Sequence, residues 1–287
     1  MLVVLYLVAT PIGNLEDMTF RAIRILRDEV DSIACEDTRQ TQKLLRHYDI
    51  RKPLISYHEH NEAARTSDIL AALERGESVA LVSDAGTPLV SDPGYRVVTA
   101  AIEHGFPVIP IPGASAALTA LAASGLPTDE FRFIGFLPSK AGARRKALEQ
   151  LANENATVIA YDSPHRILET LADMAEILGA RPVALARELT KIHEEFLRGT
   201  AQSIREQLAQ RSAVKGEMTL LIGRSEKRAA IADPLAEIQR LEREGLDRME
   251  AIKAVAKQMG LPKRELYRLV TEQGSNSGGK DRDSVRR

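Results

Sequence analysis

Four short segments of this 287-residue chain are rich in glycine, proline or acidic residues and carry polar side chains that can bind a ligand. A carboxylate in a tight loop, such as Asp84, can accept hydrogen bonds from ribose hydroxyls or from an amino group. The segments therefore favour a nucleoside-like ligand, although tight turns by themselves also select glycine and proline. They are ATPIGN at 9–14, CEDTR at 35–39, SDAGTPLVSDPG at 83–94 and PGAS at 112–115.

Each segment lies where a predicted strand is followed by a predicted helix. Short apolar runs alternate with amphipathic stretches over the first 112 residues, and this alternation is typical of a parallel sheet covered by helices. The carboxyl ends of parallel strands lie at one edge of the sheet, where open α/β sheets bind ligands. We therefore expect the four loops to converge on one site, together with Asp37, Arg39, Asp84 and Asp92.

The fold class predicted from this pattern is α/β, with two α/β domains and a small C-terminal three-helix extension. The first domain is predicted at 1–113 and the second, with a mixed sheet, at 114–225. A helix is expected at 18–29. Strands are expected at 2–9, 32–35, 78–82, 107–111, 131–136, 157–161, 182–186, 195–197 and 218–222.

The helical extension is predicted at 232–274, and its second helix should begin at the capping residue Asp247. It resembles a helix-turn-helix that presents Lys263 and Arg264 to nucleic acid, although a packing or dimerisation module has the same pattern. Its expected core consists of Met249, Ile252, Ala256, Met259, Leu266, Leu269 and Val270.

Charge and composition narrow the class of partner. From Arg224 onward the chain carries 15 Lys and Arg against 11 Asp and Glu, whereas the whole chain has a net charge of −1. The basic excess at the C-terminal end is suited to nucleic acid, and an ordinary solvated surface is the alternative. Residues 275–287 lack apolar periodicity and are expected to be disordered.

Familiar signatures of other classes are missing from the sequence. It contains neither the G-x-G-x-x-G motif of dinucleotide-binding folds nor a phosphate-binding G-x-x-x-x-G-K-[ST] loop. A single cysteine, Cys35, is expected in the core and excludes an internal disulfide, which fits a reducing compartment. No apolar run is long enough to span a membrane, and a cytoplasmic location is therefore expected.

The segment RELTKIHEE at 187–195 concentrates acid–base groups directly after a predicted strand. Glu188 and Lys191 can supply a base and the group that orients it, because burial can lower the pKa of a lysine into the useful range. We take these two residues as the candidate catalytic pair. A solvated turn with one salt bridge is the alternative interpretation.

Several basic side chains are candidates for contact with an anionic substrate. His165 and Arg166 are predicted to open a helix, where the backbone favours negative charge. Arg39 suits a phosphate, with a structural pair to Glu36 or Asp37 as the alternative. His58 is assigned to substrate contact or loop hydrogen bonding, and no metal site is predicted because no third ligand accompanies His58 and His60.

Nine motifs stand out along residues 1–223: LYLVATPIGNLEDMTFRA, CEDTR, SYHEHNE, VSDAGTPLVSDPGYRV, PGASA, FLP at 136–138, DSPHR, RELTKIHEE and KGE. Together they resemble the tetrapyrrole methylase family, and more closely its branch that acts on small-subunit ribosomal RNA. The helical extension resembles one found in that branch. The first loop, ATPIG, departs from the GxG form of many corrin-methylating relatives.

This resemblance implies a methyltransferase that uses S-adenosyl-L-methionine, acts on the 2′-oxygen of a cytidine in ribosomal RNA, and forms a homodimer. The cofactor is expected between the two α/β domains. The positions that match cofactor contacts are Ile12, Asp84, Thr87, Ser115, Ala116, Tyr161, Gly216, Glu217 and Met218.

Two other functions remain open at this stage. One is another methylase of the same family, acting on a corrin or porphyrin ring or on a protein side chain. The other is a ligand-sensing regulator that binds DNA through the helical extension.

Overall fold

Five short strands form a parallel sheet in the first part of the chain, in the order β3-β2-β4-β1-β5. We describe a computed structural model that covers residues 2–225, 234–259, 264 and 266–268. The strands are β1 (Leu5–Val8), β2 (Ser32–Cys35), β3 (Leu54–Ser56), β4 (Val79–Val82) and β5 (Val108–Ile111). The predicted parallel arrangement is confirmed by the register of every strand pair.

Helices cover both faces of this sheet. On one face, α1 (Phe20–Arg24), continued by a π-helical turn (Ile25–Glu29), and α2 (Thr38–His47) pack against β-strand residues such as Ile33 and Val82. On the other face lie α3 (Glu62–Glu74) and α4 (Tyr95–Glu103). Because both faces are buried, the strands are nearly continuous in apolar residues, as parallel strands usually are.

Two details of this domain differ from the sequence-based prediction. Strand β3 was missed, because three residues after Pro53 form too short an apolar run to stand out from a loop. The helix predicted from residue 18 begins at Phe20 instead, since the side chain of Thr19 accepts a hydrogen bond from the backbone N–H of Ala22 and caps the helix.

The second sheet is mixed, as expected, with the order β6-β7-β10-β8-β9. Only β6 and β7 pair in parallel; β10 runs antiparallel to β7 and β8, and β9 runs antiparallel to β8. The strands are β6 (Phe131–Phe136), β7 (Thr157–Asp162), β8 (Pro182–Arg187), β9 (Glu195–Thr200) and β10 (Met218–Ile222).

The two faces of the second sheet have different neighbours. One packs against α6 (Ala141–Gln150), α7 (Ile167–Leu178) and α8 (Ala201–Ala209). The other packs against α5 (Ala116–Ser124) and against Ile12 from the loop after β1. Both sheets therefore belong to one compact unit, which extends to Arg224. The domain boundary at 113/114 stays a prediction.

The C-terminal unit contains α9 (Pro234–Arg243) and α10 (Arg248–Met259). Asp247 caps α10 as predicted, because its Oδ1 accepts hydrogen bonds from the backbone N–H groups of Met249 and Glu250. Ile252, Ala256 and Leu266 are buried as expected.

Met249 was wrongly placed in the core of that unit. Its side chain is 47% exposed, since Ala251 and Val255 occupy the inward positions instead. Three sets of predictions lie outside the described residues: those for Lys263, for the core candidates Leu269 and Val270, and for the tail at 275–287.

None of the helices in the described part of the chain combines the length and the hydropathy needed to cross a bilayer.

Arg181 stabilises the second sheet at the edge where β7 begins. It is buried, and its guanidinium donates to the backbone carbonyls of Leu151, Glu154 and Gly223.

We expect Arg181→Met to lower the free energy of unfolding by about 3 kcal/mol, because buried carbonyls lose charged donors. Thermal unfolding would show this as a fall in Tm of several degrees. The exposed Arg205, replaced in the same way, is the control; equal Tm values for the two variants would refute the assigned role.

Candidate functional site

The loops after β1, β4 and β5 are tied together at the carboxyl edge of the parallel sheet. The backbones of Thr10 and Gly86 exchange two hydrogen bonds, of 2.9 and 3.0 Å. Thr10 Oγ1 also donates to the carbonyl of Ser83, and Thr87 Oγ1 donates to the carbonyl of Ala114 at 3.4 Å. Three of the four predicted loops therefore converge through direct contacts.

The fourth loop joins them through an acidic cluster. The backbone N–H of Asp37 donates to Asp84 Oδ1 at 3.1 Å, and the Asp37 side chain caps α2 by accepting from the N–H of Arg39. We call Glu36, Asp37, Asp84 and Asp92 the acidic rim. Four carboxylates at one edge favour a cationic ligand.

The carboxylates of the acidic rim repel one another, which destabilises the folded protein. Burial, with the charges of Glu36 and Asp84, raises the pKa of Asp92 to about 6. Burial and nearby carboxylates likewise raise the pKa values of Glu36 and Asp84. A positive charge bound among these groups would relieve their repulsion.

The loop after β1 reaches the second sheet. Ile12 is buried in a cluster with residues of α5 and with Leu189. A Cβ atom added to Gly13 would lie 2.6 Å from Cγ of Lys191 and 3.1 Å from Oγ1 of Thr190, so only glycine allows this approach. The contact brings the predicted catalytic segment to the ligand-binding edge of the first sheet.

Glu188 and Lys191 form a coupled ionic group with Glu217. Lys191 Nζ donates to Glu188 Oε1 and to Glu217 Oε2, both at 3.0 Å. Glu188 Oε1 also accepts from the backbone N–H of Glu217 at 2.9 Å. Gly216 leaves room for this arrangement, because a Cβ there would lie 2.4 Å from Glu188 Cγ.

The expected lowering of the lysine pKa is wrong. Burial alone would lower the pKa of Lys191, but its bonds to Glu188 and Glu217 outweigh burial and raise it. The pKa of Glu188 is lowered by the N–H of Glu217 and by Lys191. Neither group is a strong base in this state, so the pair holds a fixed cation at the edge of the site.

Backbone strain is concentrated in the same segment. Glu188 and Thr190 have φ values of 52° and 66°, a region that side chains other than glycine rarely occupy. Thr190 Oγ1 is buried, and no described residue forms a hydrogen bond with it. Strain and an unpaired buried hydroxyl at one place are typical of a binding or catalytic segment.

Other predicted cofactor positions lie around the same junction. Ser115 caps α5, with its Oγ accepting from the N–H of Leu118, and Ala116 begins that helix. Tyr161 lies near the end of β7; burial raises its pKa, as does the charge of Asp92. Met218, at the start of β10, is buried and pairs in register with Asp162 and Arg187.

The predicted anion-binding residues divide into two groups. Arg39, His165 and Arg264 are exposed. Arg166 pairs with the buried carboxylate of Asp162, and its contact with a substrate phosphate stays a prediction. His58 Nε2 lies 3.1 Å from Asn61 Nδ2 within the turn that leads into α3, which agrees with the loop hydrogen-bonding alternative.

Cys35 is buried in the core as predicted, and burial raises the pKa of its thiol.

Two candidate groups were not assigned from the sequence. Phe136 ends β6 with 59% of its surface exposed, and its ring lies 5.5 Å from that of Tyr161. Thr190 was passed over within RELTKIHEE. The FLP motif contains Phe136 and was the available signal, but only the structure places this ring beside Tyr161.

Comparisons with known proteins agree with this geometry. The sequence model of the Tetrapyrrole (Corrin/Porphyrin) Methylases family matches residues 4–205. Ribosomal RNA small subunit methyltransferase I of Halalkalibacterium halodurans is 52% identical over 276 residues, covering 94% of this chain and 95% of that protein. The Bacillus subtilis protein of the same name is 47% identical and covers 92% of each chain.

A solved structure with a similar fold is uroporphyrin-III C-methyltransferase from Thermus thermophilus in complex with S-adenosyl homocysteine. It has a TM-score of 0.51 and 19% identity, and the match covers 76% of this chain and 96% of that chain. At this identity the likeness concerns the fold alone.

The acidic rim makes stability depend on pH. Because the folded-state pKa of Asp92 is raised to about 6, its ionisation opposes folding increasingly as pH rises from about 4 to above 6. We expect Asp92→Asn to stabilise the protein by about 1 kcal/mol more at pH 8 than at pH 5. Thermal unfolding at the two pH values measures this difference. Glu103→Gln, at an exposed position of α4, is the control, and a pH-independent effect of Asp92→Asn would contradict the expectation.

Proposed function

Because this chain belongs to the tetrapyrrole (corrin/porphyrin) methylase family, we propose that it transfers the methyl group of S-adenosyl-L-methionine to the 2′-oxygen of a cytidine in small-subunit ribosomal RNA. The observation that carries the proposal is the approach of Gly13 to Lys191, which joins the acidic rim to the Glu188–Lys191 pair. Relatives named for ribosomal RNA methylation match this chain along nearly its whole length, including α9 and α10.

The residues at the junction suit a cationic nucleoside. The carboxylates of Asp84 and Asp92 repel each other, and a bound positive charge would reduce this repulsion. Thr190 Oγ1 is a buried polar atom with no hydrogen-bond partner among the described residues. When bound, S-adenosyl-L-methionine supplies a methyl group activated by its sulfonium charge. The residues proposed to hold it are Ile12, Asp84, Thr87, Ser115, Ala116, Tyr161, Gly216, Glu217 and Met218.

We propose that Lys191 binds and positions the nucleophile, the ribose 2′-oxygen. Its pKa is raised by its carboxylate partners, so it carries a proton at neutral pH and can donate a hydrogen bond to the ribose 2′-oxygen. A nearby cation lowers the pKa of a hydroxyl and favours transfer of its proton to solvent water as the oxygen is methylated. Glu188 orients the ammonium group, and fixing the reacting atoms in line can supply a large part of the rate enhancement.

The substrate side of the proposal includes the exposed Arg39, His165 and Arg264, with Lys263 and His58 as further predicted contacts. Phe136 offers an exposed ring on which the target base can stack, a contact worth about 1–3 kcal/mol. A homodimer and a cytoplasmic location belong to the same proposal.

The direct test uses S-adenosyl-L-methionine carrying a labelled methyl group. We expect purified protein to label small-subunit ribosomal RNA, as protein-free RNA or in assembled subunits, at one cytidine 2′-oxygen mapped by nuclease digestion and mass spectrometry. Label on a base, on protein or on a tetrapyrrole would overturn the proposed acceptor. A footprint on duplex DNA without any methyl transfer would indicate a regulator instead.

The role of the ionic pair is tested by single-turnover methylation. We expect Lys191→Met to slow transfer by about 100-fold, within the range for groups that assist proton transfer, while calorimetry shows little change in cofactor affinity. Lys191→Arg should retain more activity than Lys191→Met because it keeps the positive charge. The transfer rate of Glu188→Gln should lie between the rates of these two variants. The control is Lys146→Met, at an exposed position of α6. Wild-type rates in both Lys191→Met and Glu188→Gln would remove the pair from the mechanism.

A further inference from the structure

The first α/β domain carries an exposed basic surface that neither its fold nor its cofactor site explains. We infer that this surface binds the phosphodiester backbone of the ribosomal RNA beside the target nucleotide. We call it the basic face and define it as the exposed Arg39, Lys43 and Arg46 on α2, with the exposed Arg51 and the half-buried Lys52 in the loop between α2 and β3. The inference rests on the proposed function, because it assumes an RNA substrate.

The periodicity of α2 places its three cations on one side. Residues 39, 43 and 46 follow the i, i+4, i+7 spacing, so they project within about 60° of one another around the helix axis. Thr41 and Leu45 are buried on the side that faces the sheet. The three cations are exposed to solvent, and together they form a ridge about 10 Å long at 1.5 Å per residue.

These cations differ from most arginines of the described chain in lacking carboxylate partners. Ion pairs engage Arg65, Arg96, Arg132 and many others. Among the ion pairs of the described residues, none includes a member of the basic face; Lys52 donates instead to the carbonyl of Val30. An uncompensated group of like charges costs stability and favours a polyanionic partner.

Helix stability does not account for this arrangement. Arg46 and His47 lie in the last turn of α2, where a cation interacts favourably with the helix dipole. Arg39 lies in the first turn, where the dipole disfavours a cation, and Lys43 lies in the middle. Two of the three helical charges therefore have no structural benefit to explain them.

The end of the ridge opens into a surface depression of about 610 Å³. Leu45, Ile50 and Leu54 contribute apolar atoms to its lining. Arg46, Arg51 and Lys52 contribute three cations against the single carboxylate of Asp49. An apolar floor with cations around it suits a nucleotide, which presents a flat base and a phosphate. A single strand of RNA is recognised through this combination of stacking and charge.

The position of the ridge links it to the site. Asp37 caps α2 and binds Asp84 through its backbone N–H, so Arg39 lies two residues from the acidic rim. Carboxylates at the rim suit the cationic methyl donor, whereas the helix that begins there suits a polyanion. A strand of RNA that enters the site can thus continue along α2.

The experiment compares two double charge reversals in the full chain. Lys43→Glu/Arg46→Glu alters the basic face. Lys146→Glu/Arg205→Glu changes the net charge equally on α6 and α8, which cover the face of the second sheet opposite Ile12. Binding of a protein-free small-subunit ribosomal RNA transcript is measured by filter retention between 50 and 200 mM salt. Cofactor affinity and Tm verify that both variants are folded.

We expect the basic-face variant to bind the transcript at least tenfold more weakly at 50 mM salt. Its log–log salt dependence should be shallower by about two, since each phosphate contact contributes about one to the slope. The control variant should stay within about twofold of the wild type. Methylation at saturating RNA should keep its maximal rate in both variants.

The possible outcomes separate this inference from the proposed function. If the basic-face variant binds the transcript as strongly as the wild type does, the inference is wrong. Methylation of the RNA would still support the proposed function in that case. If only assembled subunits distinguish the variants, the surface contacts a protein, and the inference is again wrong. If the wild type binds the transcript without methylating it, the function fails, whereas selective weakening by the basic-face variant still supports the RNA surface.

Discussion

The site depends on the contact between the loop after β1 and the segment that follows β8. Gly13 approaches the stem of Lys191 so closely that a single added carbon would collide with it. This contact brings the carboxyl edge of the parallel sheet, the edge at which open α/β sheets generally bind ligands, against a mixed sheet that carries the ionic group. The first sheet supplies the acidic rim and the second supplies Lys191 with its two carboxylate partners, and the proposed chemistry uses both.

The segment from Glu188 to Lys191 is held under strain, and its neighbours compensate for this. Positive φ angles at Glu188 and Thr190 are unfavourable locally. The lost energy is offset by the hydrogen bonds that Glu188 Oε1 accepts from Lys191 and from the N–H of Glu217. Gly216 completes the arrangement by leaving space for the glutamate stem. The result is a lysine whose position and charge are both fixed.

Charge is divided across the first domain according to the two partners it is proposed to bind. The acidic rim destabilises the protein on its own, as the raised pKa of Asp92 shows, and a cationic methyl donor would relieve that repulsion. The basic face of α2 carries the opposite sign and starts at the same edge. The net charge of −1 for the whole chain does not reveal this separation, because the separation depends on where the charges lie on the surface and not on how many there are.

The sequence by itself determined the α/β class, the order of strands and helices, and the convergence of the glycine-rich loops. These follow from apolar periodicity and from the geometry of parallel strands, which are local or nearly local properties. It also identified Glu188 and Lys191 as neighbours, since they lie three residues apart. It missed β3, because a three-residue strand with only two apolar residues carries too weak a pattern.

Only the tertiary structure decided how the ionisable groups behave. The pKa of Lys191 is raised and not lowered because Glu217, 26 residues away, supplies a second carboxylate. Arg166 is occupied by Asp162, and Met249 points away from the small helical core. A pKa or a side-chain direction depends on every charge and surface nearby, and residues distant in the sequence supply most of these.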